Sequence, residues 1–80
     1  MKNMPPFSDL YKLKEDDRID LIGHCAMHKL MTVGFVLEDD AKAERYIAKL
    51  KAKFPQIVIH EKGPLKGLVM VKVGPPLHLN

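Results

Sequence analysis

Between residues 31 and 60 the chain changes its hydrophobic period twice, and that alternation restricts it to helix and sheet packed in layers. "MTVGFVL", residues 31 to 37, is nearly all apolar and rich in β-branched and aromatic side chains. It predicts a strand covered on both faces, the central strand of a sheet. "AKAERYIAKLKAKF" then sets Ala43, Tyr46, Ile47, Leu50 and Phe54 at spacings of three and four, one apolar stripe on a helix. Asp39 or Asp40 is placed to cap that helix, because a carboxylate accepts the free N–H groups of the first turn and meets the positive end of its dipole. Pro55 ends it, since it lacks an N–H and disfavours helical geometry at Phe54. "QIVIHE", residues 56 to 61, returns to strand composition.

Upstream, a helix is expected over residues 15 to 30. At about 100° per residue, Ile19, Ile22, Ala26 and Leu30 share one face and Asp17, Asp20, His24 and His28 the opposite one. Gly23 interrupts this helix at a cost of about 1 kcal/mol relative to alanine. Downstream, "GLVMVKV", residues 67 to 73, is a third strand, joined to residues 56 to 61 by the turn-forming "KGPLKG" in an antiparallel hairpin. The path from strand one through helix two to strand two is long enough for a right-handed β-α-β crossover, which would set those strands parallel. The expected fold class is α/β in the α+β sense: one small domain, α-β-α-β-β, with a three-stranded mixed sheet packed with two helices. Residues 1 to 14, with Pro5 and Pro6, read as an irregular N-terminal arm, residues 15 to 74 as the domain, and residues 75 to 80 as a C-terminal tail.

A chain of 80 residues has room for one core. It hides only about 60% of its unfolded surface, so association into a homo-oligomer is expected as a way to bury more. With 46% hydrophobic and 29% charged residues the composition is that of a folded protein. Cys25 is the single cysteine and cannot form an internal disulfide. No basic, apolar and small-residue succession marks a secretion signal, so the expected location is cytoplasmic. No apolar run approaches the about 18 residues of a membrane-spanning helix, and no membrane contact is expected.

The net charge of +3 is unevenly divided. Residues 1 to 40 carry five Lys/Arg against eight acids, and residues 41 to 80 eight against two. Such asymmetry suits either an anionic partner or self-complementarity. Lys42, Arg45, Lys49 and Lys53 recur every three or four residues along one edge of helix two, and Lys62 and Lys66 flank the glycine-containing hairpin loop. These six are the candidate anion-binding residues, suited to nucleic acid or a phosphorylated small molecule because each neutralised phosphate releases counterions. Against this, lysines late in a helix also serve its dipole and solubility, and no aromatic platform accompanies them.

Other constellations are weaker. "GHCAMHK" places His24 and His28 four apart, able to grip one metal from a helix, but Cys25 is turned about 100° away, and His60 and His78 lie in distant segments. The expectation is no metal and no cofactor, with His24 paired to Asp20 on a solvated face. Glu38, Asp39 and Asp40 could hold a divalent cation, or supply one cap and two solvated acids. Ser8 and Thr32 stand in no nucleophile motif, and neither a Walker loop nor GxGxxG occurs, so an enzyme is not expected. The leading expectation is a non-enzymatic binding module that takes an anionic partner on its basic face. The alternative is a protein-protein interaction module, an adaptor or inhibitor of a larger complex, pairing through an uncovered sheet edge.

Overall fold

The structure, a computed structural model, describes residues 13 to 76. The expected arm lies outside the described residues except for residues 13 and 14, and so does the tail beyond residue 76. Five elements follow in the order α1 (Glu15–His28), β1 (Val33–Leu37), α2 (Asp40–Lys53), β2 (Val58–Leu65) and β3 (Leu68–Gly74). The α-β-α-β-β order expected from periodicity is the one observed.

The sheet order is β1-β3-β2, and both pairings are antiparallel. This corrects two expectations. The sheet is antiparallel throughout rather than mixed, and β1 is an edge strand rather than the central one. The crossover through α2 does set β1 and β2 in the same direction, but β3 folds back from β2 and inserts between them. An apolar run cannot distinguish these positions: β1 is apolar on both faces because neither of its faces is polar, not because both are covered.

Element boundaries moved for local reasons. The hairpin turn is only Lys66 and Gly67, with φ of 52° and 82°, in place of the six-residue loop expected over 62 to 67. Two successive residues with positive φ match the twist of a two-residue hairpin, and Gly67 adopts that geometry without penalty. β2 therefore runs on through Gly63 and Pro64, and begins at Val58 because Pro55 and Gln56 form a turn closed by Ile57 N–H donating to the Phe54 carbonyl at 2.9 Å. A bulge at His60 lets residues 59 and 60 face one residue of β3. The His60 ring nitrogen Nε2 lies 3.0 Å from the Pro75 carbonyl, fastening the bulge to the end of β3.

Helix α1 stops at His28, short of Leu30, which takes φ 55° beyond the helix and stands 72% exposed instead of joining the apolar face. No side chain caps its start, but Glu15, Asp16 and Asp17 occupy its first turn, where the dipole favours acids. Helix α2 is capped as expected: Asp39 accepts from the Lys42 N–H at 2.9 Å.

Both helices lie on one side of the sheet. Val69, Val71 and Val73 of β3 point into the core with Ile19 and Ala26 of α1 and Ala43, Tyr46 and Leu50 of α2. The Phe35 and Tyr46 rings meet at 6.0 Å. Gly23 is buried, and a Cβ there would overlap the Phe54 ring. The glycine is thus the seat for Phe54, and what reads in sequence as a flaw in α1 is what lets the two helices close.

Candidate functional site

The candidate basic stripe faces α1. Arg45 Nε and Nη2 donate to the two carboxylate oxygens of Glu15, each at 2.9 Å, a bidentate pair. Lys49 Nζ reaches Asp16 at 2.9 Å and Glu15 at 3.1 Å, and Lys53 pairs with Asp20. Partners advance along α1 as they advance along α2, so the helices run side by side in the same sense. Lys42 pairs with Glu38 at 3.2 Å, and Lys62 with Asp40 at 3.2 Å and Glu44 at 3.4 Å. Of the six candidates, only Lys66, at the hairpin turn, has no ion pair among the described residues. The charge asymmetry between the two halves of the chain is therefore satisfied largely within one molecule.

The pairs leave their mark on titration. The Arg45 guanidinium, with Lys49 beside it, holds the Glu15 carboxyl down to about 2. The Lys49 ammonium lowers Asp16, and the reciprocal hydrogen bond to Asp16 raises Lys49. Asp40, then Glu44, raises Lys62 in the same way.

The remaining candidates separate. Asp20 is engaged by Lys53 and not by His24. His24 and His28 do stand together, ring centroids 4.7 Å apart, but among the described residues no group of three or more His, Cys, Asp or Glu gathers where a metal could be held. Cys25 is a half-buried free thiol. Glu38, Asp39 and Asp40 are committed to Lys42, the α2 cap and Lys62. A shallow, open hollow lies between Met27, Lys53, Phe54, Pro55 and Gln56, and its one ionisable lining residue, Lys53, is already paired. No helix among the described residues is long and apolar enough to cross a membrane.

What sequence reasoning missed is the other side of the sheet. Register pairs Val36 with Met70, Gly63 with Met70 and Leu65 with Leu68, all on the face turned away from the helices. An antiparallel sheet with one wet face ordinarily carries polar side chains there. Here the outward positions are Val36, 39% exposed, Leu65 at 44% and Leu68 at 41%, with half-buried Met70 among them. The charged exceptions are Lys72 and Glu61, which pair with each other at 3.4 Å. Nothing among the described residues covers this face. The signal lies in "GFV" and "LVM", where apolar residues occupy both phases of the alternation; in "GFV" the same letters also suit a strand covered on both faces.

The two sheet edges also differ. In a two-residue hairpin Leu65 and Leu68 form the hydrogen-bonded pair that closes the turn, and bonding then alternates along the ladder. By that alternation Lys62 and Pro64 of β2 turn their main chain outward, and Pro64 has no N–H to offer. The bulge at His60 further disrupts that edge. On β1, Val33, Phe35 and Leu37 bond to β3, while Gly34 and Val36 present N–H and C=O to the open side. That edge carries neither proline nor lysine.

Comparison with protein-family models, with curated proteins and with solved structures finds no match to this chain.

Proposed function

We propose that this is a small protein-interaction module that works through the helix-free face of its sheet. The observation that supports it is the apolar character of that face, where Val36, Leu65, Leu68 and Met70 stand without cover among the described residues. Contiguous exposed apolar surface on a small folded protein marks contact with another macromolecule. The basic stripe gives weaker support to an anionic partner, because Arg45, Lys49 and Lys53 would have to leave Glu15, Asp16 and Asp20 to bind phosphate. No reaction is assigned, since among the described residues the acids, lysines and histidines converge on no common pocket.

The test is affinity capture from nuclease-treated lysate, comparing the unaltered protein with a Leu65→Lys, Leu68→Lys double variant whose fold is verified by circular dichroism. A partner retained by the unaltered protein and lost by the variant is the expected result. A partner that survives the substitutions would place binding elsewhere, and one that disappears on nuclease treatment would return the anionic reading to the lead.

A further inference from the structure

The open edge of β1 is suited to one occupant in particular. We infer that two copies of this chain associate by antiparallel pairing of β1 with β1 across a two-fold axis, joining their sheets into one of six strands. The inference concerns an edge rather than the face described above, and it rests on that interaction reading only in treating the sheet as the contact element.

Three observations carry it. First, the two edges are unequal. β2 withholds a donor at Pro64 and is bulged at His60, whereas Gly34 and Val36 of β1 offer complete main-chain pairs on an edge that no described residue covers. Second, the pairing is self-matching. In an antiparallel register centred on Phe35, Gly34 of each copy lies opposite Val36 of the other, and each such pair exchanges both of its N–H···O bonds. The residue without a side chain thus stands beside the branched one on the same face, and the apolar strip of Val36 and Met70 continues through the axis into the second copy.

Third, the charges at the ends of β1 are opposite. Lys29, exposed and with no ion pair among the described residues, precedes the strand, and Glu38, Asp39 and Asp40, exposed although engaged by Lys42, the α2 cap and Lys62, follow it. Antiparallel pairing brings the basic end of each copy toward the acidic end of the other, whereas parallel pairing would place acid beside acid. Leu30, 72% exposed, and Met31, 46% exposed, flank the same edge and are placed to gain cover from the acidic-end loop of the second copy. A strand of five residues makes a small contact, so the dimer belongs to the weak class of interfaces.

The experiment is sedimentation equilibrium on the purified full chain, diluted from about 1 mM, with the Gly34→Pro variant alongside. Proline at 34 removes an outward N–H and leaves the bonds of β1 to β3 in place. The unaltered protein should approach twice the chain mass at high concentration, and the variant should dissociate at least about tenfold more readily. Should Gly34→Pro lose its circular dichroism spectrum, Val36→Lys decides instead, because an edge lysine resists strand addition without touching the core. A single-chain mass throughout the series, or dimerisation unchanged in the folded variant, would overturn the inference. Because the purified protein contains no outside partner, the two readings fail separately: a monomer that still captures its partner leaves the interaction module standing, and a dimer that captures nothing leaves only the self-pairing.

Discussion

The two sides of this molecule resolve their polar and apolar groups in opposite ways. Between the helices most charges are answered: Glu15 takes Arg45 in a bidentate grip, Asp16 takes Lys49, Asp20 takes Lys53, and Gly23 makes room for Phe54, while the buried Arg18 Nε and Tyr46 hydroxyl find no partner among the described residues. On the far side of the sheet little is answered among the described residues, with Leu65 and Leu68 near half exposed and no strand paired to the outer edge of β1. A row of like charges in a sequence thus need not mark a binding surface. Here Arg45, Lys49 and Lys53 form one half of an internal seam whose other half, Glu15, Asp16 and Asp20, lies 30 or more residues earlier.

Substitutions on the two sides of the sheet should differ in what they cost. The largest effect is expected from Leu50→Ala, beneath the seam: a fully buried leucine lost from a small core costs about 2–5 kcal/mol, enough to unfold much of the population and to appear as a collapsed denaturation midpoint. Next is Gly23→Ala. Alanine normally improves a helix, but here its methyl group would strike the Phe54 ring, so a net loss of about 1–3 kcal/mol is expected. Thermal unfolding of the variant alone and combined with Phe54→Leu measures the coupling. An alanine that stabilises by its ordinary helix propensity would mean the helices do not close on that glycine.

A smaller effect belongs to the seam's charges. Glu15→Gln should cost no more than about 1 kcal/mol, because a partly exposed pair is screened by solvent and salt. Its sign with pH is definite. Glu15 titrates lower folded than unfolded, so its contribution is fully present above its ordinary value of 4.5 and is lost as pH falls toward about 2. Denaturant titrations between those limits should show the unaltered protein losing stability faster than the Gln variant, and parallel curves would remove the ion pair from the account. The smallest effect on folding is expected from Val36→Lys, within about 0.5 kcal/mol, since that exposed side chain touches no part of the core. Its consequence should be seen in association instead.

Much of the fold was legible because it rests on local signals. The stripe from Ala43 to Phe54, the Asp39 cap and the Pro55 stop each name their own place, and the structure puts α2 within a residue of them. Strand order was not legible: "MTVGFVL" is equally apolar whether central or at an edge, and only the fold-back of β3 decides between them. The turn was misplaced because Gly63 and Pro64 resemble loop residues, while the positive φ that makes the hairpin falls at Lys66 and Gly67. For the candidate site, spacing identified the residues of the basic stripe but could not identify what they face. Arg45 meets Glu15 across an intervening strand, and no local period encodes that encounter.

A closed helix seam and a β1 edge free of cover among the described residues together imply where this molecule makes contacts. Backbone amide NMR shifts followed over a dilution series test that implication most directly, because they report each residue separately. Concentration-dependent shifts centred on Gly34 and Val36 are expected, with Arg45, Lys49 and Lys53 unmoved by dilution or by added inorganic phosphate. Shifts that appear instead along α2 on adding phosphate, with β1 silent at every concentration, would contradict it and make the basic stripe the working surface.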